Sequence, residues 1–401
     1  MSTMSEDSST IPLSVPCLQG REWEYVRECL DTGWVSSVGP FVERFEQAVA
    51  EYVGAKHAVA VVNGTSALHI ALLCSGVQPD DEVLVPTLTF IASANSIRYA
   101  GAHPVFIDAE PRHWQMDPNL IEHFLTRECE RKGGVLRNRT SGRRVRAIMP
   151  VHVLGHPADM DPICDLAQRF ELEVIEDAAE GMGTRYKRRH VGEFGRVGCF
   201  SFNGNKIMTT GGGGMLVTDD EQLAIRARHL TTTAKDNALE YIHGEVGYNY
   251  RLTNVAAAIG CAQLEQLDQF VLAKRRIATS YERELGNVDG VQLYSVADHA
   301  FCTYWLYTIA VSAEVYGTDR RGLHRRLAQQ GIQTRPLWQP LHASGAHGAS
   351  QAILNGVADQ LYGRCLSLPC SIDLSEAGIA RVCRGITQTD GNHRAELLSA
   401  A

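Results

Sequence analysis

A chain of 401 residues, 44% hydrophobic and 21% charged, has material for a sizeable core and more length than one domain usually takes. Its formal charge of −8, from 46 acidic against 38 basic residues, gives no general reason to expect nucleic acid or an anionic membrane as a partner. The 11 cysteines form no Cys-x-x-Cys pair, no apolar run reaches the ~18 residues of a membrane span, and Met1–Thr10 reads as a polar lead without a secretory signal, so a cytoplasmic protein with reduced thiols is expected.

In chain order, short β-branched runs alternate with helical stretches. Strands are predicted at His57–Val62, Glu82–Val85, Pro104–Ile107, Val145–Val151, Leu172–Glu176, Cys199–Phe202 and Met215–Thr218, with helices at Ser66–Cys74, Ile91–Tyr99 and Pro162–Phe170. Strands separated by helices need crossover connections, which predicts an α/β fold with a mostly parallel sheet covered on both faces. Helical stretches at Asn254–Phe270 and Lys274–Glu284 lead to an aromatic-rich strand, Cys302–Ala310, and a helix, Asp319–Gln330. The expected division is a flexible lead over 1–10, a large domain over 11–274, a smaller α+β domain over 275–385 and a frayed tail over 386–401.

Several segments carry chemistry. Asn63-Gly64-Thr65-Ser66 follows an apolar strand and opens a helix, where free backbone N–H groups and the helix dipole favour an anion; an ordinary N-cap by Thr65 or Ser66 is the plainer alternative. Thr89-Phe90 puts an aromatic ring near another strand end, for a ligand or for the core. Between Arg127 and Arg146 lie eight basic residues, read as a solvated excursion rather than an anion patch. Val174-Ile175-Glu176-Asp177 ends a predicted parallel strand at the edge where open α/β sheets bind ligands, and Glu180 follows it. A carboxylate placed there is able to hold a proton on a pyridine nitrogen. His152 and His156 are four apart, but Gly155 and Pro157 break any helix between them, so no metal site is expected.

Lys206 is the most informative residue. It lies in the loop Ser201-Phe202-Asn203-Gly204-Asn205-Lys206, followed by glycines at 211–214, between two predicted strands. A surface hairpin with a solvated lysine is the base expectation; a Schiff-base lysine is the other, and the segments above favour it.

Together these segments resemble the DegT-type sugar-nucleotide aminotransferases, pyridoxal-phosphate enzymes of fold type I. Gly33-Trp34-Val35-Ser36-Ser37-Val38-Gly39-Pro40 with Phe45-Glu46, Pro150-Val151-His152-Val153-Leu154-Gly155, Gly247-Tyr248-Asn249-Tyr250-Arg251-Leu252-Thr253 and Arg335-Pro336-Leu337-Trp338-Gln339-Pro340-Leu341-His342 extend the likeness from about Ile11 to Leu368. The resemblance implies pyridoxal 5′-phosphate as cofactor, Lys206 as the lysine that carries it, Asp177 as the partner of its ring nitrogen and Phe90 against the ring face. Gly64, Thr65, Ser66 and Ser201 are implied to hold the phosphate. Asn249 is implied to reach that phosphate from a neighbouring subunit, which means a homodimer with shared sites. Glu180 stands where relatives often carry histidine or glutamine near the ring's oxygen. Trp34, Ser36, His152, Arg251 and His342 are the candidates for substrate contact.

The resemblance implies transfer of the amino group of L-glutamate to a nucleotide-linked 4-keto-6-deoxy sugar. The subgroup most similar is that of legionaminic-type sugar synthesis, with a UDP-linked 4-keto-6-deoxy-N-acetylhexosamine as substrate. The alternative is a perosamine-synthase-like enzyme acting on GDP-4-keto-6-deoxymannose. Two further classes compete: a pyridoxal-phosphate sugar dehydratase, whose relatives replace the lysine by histidine, and a non-catalytic sensor, expected to lose Lys206 or Asp177.

Overall fold

The computed structural model describes residues 10–237 and 239–388. Of the lead expected over 1–10 and the tail expected over 386–401, residues 1–9 and 389–401 lie outside the described residues, and the last helix, Glu376–Thr387, runs into the range assigned to the tail.

An eight-stranded sheet forms the larger layer, in the spatial order His57–Val61, Gly214–Thr218, Val197–Ser201, Glu173–Asp177, Val145–Ile148, Glu82–Pro86, His103–Ile107, Ala352–Ile353. Gly214–Thr218 runs antiparallel to both of its neighbours, and the other pairings are parallel. The seven sequence-derived strands of this region all appear, each shifted by a few residues at most. Their side chains are nearly all buried, as in a sheet covered on both faces: Glu82–Pro86 and Gly214–Thr218 are buried throughout. The helix Gly64–Cys74 packs on this sheet and is apolar over most of its length, with Ala67, Leu68, Ile70, Ala71 and Leu72 buried.

A four-stranded antiparallel sheet lies further along the chain, in the order Val291–Leu293, Tyr307–Val311, Cys365–Leu368, Arg335–Pro336. The two helices expected before it are Asn254–Leu264 and a single 19-residue helix, Leu267–Leu285. The strand expected over Cys302–Ala310 is shorter and later, Tyr307–Val311, because Tyr304 adopts a left-handed φ of 50° that no strand tolerates. One short strand, Ala352–Ile353, leaves the neighbourhood of the small sheet and pairs in parallel with His103–Ile107 in the large one.

The basic stretch is a β-hairpin, Cys129–Lys132 with Val135–Asn138. It is tied down by ion pairs from Arg131 to Glu171 and Arg139 to Glu130, while Arg144 binds Asp81 and Arg146 binds Glu173 just beyond it. Those pairings account for half of its cations and leave it a surface feature. Among the described residues no helix is long and apolar enough to cross a membrane.

Candidate active site

The C-terminal edge of the parallel strands meets the loop after Val197–Ser201 in a cleft of about 320 Å³. Its lining includes Gly64, Thr65, Phe90, Asp177, Glu180, Ser201 and Lys206, which are seven of the residues singled out in the sequence.

Lys206 is held by the loop that carries it. Phe202, at the loop's start, is fully buried with its ring 5.1 Å from that of Phe45; truncating such a ring costs about 3–5 kcal/mol, so this anchor is firm. Ile207 and Met208 are buried in the same core, and the Thr210 N–H closes the loop on the Phe202 carbonyl. Only the tip faces outward. The Lys206 side chain is 12% exposed, with Nζ 3.5 Å from Glu180 Oε1 and 4.0 Å from the centre of the Trp305 ring. The solvated-lysine reading is excluded by this burial.

Asp177 ends its strand fully inside the cleft wall. Its Oδ2 accepts the Ser93 hydroxyl at 2.6 Å and its Oδ1 the Ala179 N–H at 3.1 Å. Burial raises the carboxyl above its ordinary value, and Ser93, Ala179 and the Lys206 charge offset part of that rise. Glu180 is pushed up to about 7, again by burial first, with Lys206 and the Leu154 N–H opposing. The cleft therefore holds one lysine and two carboxyls that burial raises, Glu180 to about 7, an arrangement suited to acid–base work.

The helix Gly64–Cys74 starts at the cleft floor. Asn63, not Thr65 or Ser66, is its N-cap, accepting the Ser66 N–H at 2.8 Å. That leaves first-turn N–H groups which a helix cannot satisfy internally, together with the Ser201 hydroxyl, for an anion. Two glycines make the approach possible. A Cβ on Gly64 would lie 2.8 Å from Ser201 Cβ, and one on Gly214 would lie 2.5 Å from the Asn63 carbonyl carbon.

Other sequence candidates lie elsewhere in the chain. Ser66 and Asn249 line a separate hollow that shares Asn63 and Thr65 with the cleft and adds Tyr99 and Tyr250. Trp34 and Ser36 are exposed in a turn whose carbonyls accept the Asn254 side chain and backbone N–H, and neither lines the cleft. Three candidates for substrate contact are engaged with partners in the chain. His152 is fully buried: its Nε2 donates to Glu176 at 3.0 Å and its Nδ1 accepts the Ala158 N–H, which leaves no ring nitrogen for a substrate. Arg251 spends Nη1 on Glu46 at 2.7 Å and on the Ala60 carbonyl, tying a loop to the sheet. His342 bonds Thr87 through Nδ1 and lies 3.4 Å from Asp359 through Nε2, outside the cleft lining.

Lining residues not singled out in the sequence include Ser93, Trp305 and Trp338. Ser93, three residues after Phe90 on the next helix, was readable as a polar group in a first turn. Trp305 and Trp338, stacked in parallel with ring centres 6.3 Å apart, come from the segment of the small sheet, and Asn205 accepts the Trp305 indole N–H at 2.7 Å. No periodicity in the sequence marks either tryptophan as facing the lysine.

Comparison with known proteins agrees with this geometry. Residues 16–387 match the DegT/DnrJ/EryC1/StrS aminotransferase family. The chain is 41% identical over 94% of its length to the GDP-perosamine synthase of Escherichia coli O157:H7, covering 98% of that protein. It is 42% identical over 95% of its length to the GDP-perosamine synthase of Caulobacter vibrioides, covering 99% of it. Among solved structures, a DegT DnrJ EryC1 StrS aminotransferase from Brucella abortus superposes with a TM-score of 0.84 at 30% identity, over 92% of this chain and 95% of that one. The chain belongs to the DegT/DnrJ/EryC1/StrS aminotransferase family and is a pyridoxal-phosphate-dependent sugar aminotransferase.

Proposed function

We propose that the protein moves an amino group from L-glutamate to the 4-keto carbon of a nucleotide-linked 4-keto-6-deoxy sugar, with GDP-4-keto-6-deoxymannose as the acceptor. The observation that carries the choice of sugar is the pair of GDP-perosamine synthases to which the chain is similar over nearly its full length. That likeness shifts the preference away from the UDP-linked N-acetylhexosamine suggested by the motifs. Action in the cytoplasm is part of this reading, in keeping with 11 free cysteines.

The residues of the cleft fit pyridoxal phosphate. A phosphate suits the start of the helix Gly64–Cys74 beside Ser201, where both glycines keep the floor open. A ring nitrogen suits the buried Asp177 carboxyl, and an aldehyde suits Lys206. When bound, the cofactor supplies an electron sink that makes the α-proton of an amino acid removable.

In this reading Lys206 Nζ takes that proton from the donor carbon and returns it on the cofactor side, being close to the reacting atoms on a loop fixed at both ends. Asp177 retains its negative charge against the ring nitrogen, and Ser93 and the Ala179 N–H keep the carboxylate oriented. Phe90 and the Trp305–Trp338 pair form apolar walls that keep bulk water from the lysine. Donor and acceptor use the same cleft in turn, so ping-pong kinetics are expected.

A homodimer with shared sites belongs to the proposal. Asn249 is exposed on a segment beside Thr65, not in its own cleft, and the nearby hairpin region exposes Leu239, Tyr241 and Val246, while Trp34, Val35 and Val38 are exposed on another loop. Apolar side chains of this size, left open on one subunit, suit a second copy.

The test is incubation with glutamate and a panel of GDP-, UDP- and dTDP-4-keto-6-deoxy sugars, reading 2-oxoglutarate and the aminated sugar by mass spectrometry. Turnover with the GDP sugar at least tenfold above the others is expected. Turnover only with a UDP sugar would return the choice to the N-acetylhexosamine, and none with any sugar would overturn the reading. Separately, borohydride should fix the cofactor to wild type and not to Lys206→Ala.

A further inference from the structure

Glu180 is built into the cleft in a way that phosphate binding and ring pairing do not require. The segment Val153–Gly155 turns sharply beneath it, with Leu154 at φ 61° and Gly155 at φ 80°, two successive left-handed residues of which the first is a leucine. A left-handed leucine is costly, and its surroundings must hold it there. They do: Gln115 accepts the Val153 N–H at 3.0 Å, and Leu154 is buried in the core of the small sheet. The result is that the Leu154 N–H points at Glu180 Oε2 at 2.8 Å. One carboxyl oxygen is thereby occupied, and the other, Oε1, is left facing Lys206 Nζ at 3.5 Å.

The charged groups facing Glu180 are Lys206, from the loop after Val197–Ser201, and Asp177, from the end of Glu173–Asp177. On the remaining side of Nζ lies the Trp305 ring, which has no proton acceptor. Asp177 is committed to Ser93 and Ala179. Of these groups, Glu180 Oε1 is the acceptor nearest to the lysine.

We propose that Glu180 is the local proton acceptor for Lys206: when the lysine must be neutral to attack the cofactor's carbonyl, an Nζ–H bond breaks, an Oε1–H bond forms, and the proton stays within the cleft. Ammonium and carboxylate become amine and carboxylic acid, with no proton gained from or lost to solvent. The same acid then stands ready to return the proton when the lysine is released. A carboxyl raised to about 7 by burial exchanges a proton with little cost at neutral pH. The proposal rests on Lys206 being the cofactor lysine, and it adds a residue to that role.

The test follows cofactor uptake, not turnover. Enzyme stripped of pyridoxal phosphate is mixed with it at pH 6 to 9, and formation of the lysine linkage is read from the visible absorbance. Wild type is expected to give a rate that is flat above about pH 7, since deprotonation is internal, and that falls below it as Glu180 takes its proton from solvent. Glu180→Gln, of the same shape, is expected to be at least about tenfold slower at pH 7 and to recover by about tenfold per pH unit towards pH 9, as hydroxide takes over the proton. A wild-type profile in Glu180→Gln overturns the proposal. So does a uniform slowing with an unchanged slope, which is what a merely structural side chain would give. A measurement on wild type alone guards against a variant that fails to fold: infrared spectra should gain a protonated-carboxyl band as the cofactor binds, and no gain overturns the proposal. Failure of Lys206→Ala to abolish the linkage would instead sink the assignment of the lysine.

Discussion

Trp305 faces Lys206 and also grips its loop: the lysine Nζ lies 4.0 Å from the indole ring centre, while the indole N–H donates to the carbonyl of Asn205, the residue just before the lysine. A cation over an aromatic face is worth about 1–2 kcal/mol when partly desolvated, and a neutral hydrogen bond about 1 kcal/mol. Trp305→Ala is therefore expected to weaken cofactor affinity and turnover by about tenfold or more, and Trp305→Phe by only a few-fold. Absorbance titration with pyridoxal phosphate checks the pair; equal losses would show that the ring face contributes nothing.

Asp177 separates function from stability. Asparagine preserves its shape, its carbonyl oxygen accepting the Ala179 N–H and its NH2 donating to the Ser93 hydroxyl in place of the bond the carboxylate accepts, but carries no charge for a ring nitrogen. Asp177→Asn should lower turnover by about 10²–10⁴-fold, while the unfolding free energy changes by less than about 1 kcal/mol, because burial already disfavours the charge. Steady-state kinetics and urea unfolding decide it.

Glu176, the residue before Asp177, predicts the opposite pattern. Fully buried, it accepts from His152 and from the N–H groups of Gly192, Phe194 and Gly195. Burial alone would raise its carboxyl, yet His152 and these N–H groups hold it below the ordinary value. A depressed carboxyl stabilises the fold above the unfolded value of ~4.3, and that stabilisation is lost as pH falls through the folded value. Glu176→Gln should cost about 3 kcal/mol at pH 7, with the deficit shrinking below about pH 4. Urea midpoints across that range provide the check.

For the shared site, two inactive variants are informative together. In a heterodimer of Lys206→Ala with Asn249→Ala, one cleft carries both defects and the other carries neither, so about half of wild-type activity per dimer is expected. Inactivity of a purified, doubly tagged heterodimer would remove Asn249 from the partner's site.

Away from the cleft, the hairpin Arg185–Tyr186 to Arg189–His190 turns through Lys187 at φ 45° and Arg188 at φ 77°. Such two-residue turns favour Asn-Gly. Lys187 pairs with Asp161, so Arg188→Gly is the useful change, and it should raise stability by about 0.5–1 kcal/mol in thermal unfolding with no effect on turnover.

The residues legible in the sequence are those whose placement follows from local order. Gly64 and Thr65 open a helix after a strand, Asp177 ends a parallel strand, and Lys206 sits between two strands; each of these positions lies at the sheet's C-terminal edge once the crossovers are drawn. What the sequence leaves open is where a partner is distant along the chain. His152 meets Glu176 across 24 residues and Arg251 meets Glu46 across 205, so nothing local distinguishes a satisfied ion pair from a ligand contact. Trp305 was hidden by a different effect: the run Cys302–Ala310 has the composition of a strand, but the left-handed Tyr304 breaks it and redirects the indole.

The short strand Ala352–Ile353 has a mechanical consequence. The chain passes from Arg335–Pro336 in the small sheet to Ala352–Ile353 in the large one and back to Cys365–Leu368, so the two sheets are laced together by more than the helix Leu267–Leu285. Swinging the small sheet as a jaw about one hinge would tear the Ala352–Phe106 and Ile353–Ile107 pairings. Trp305 and Trp338, which line the cleft with Lys206, thus belong to a part of the chain braced against the large sheet.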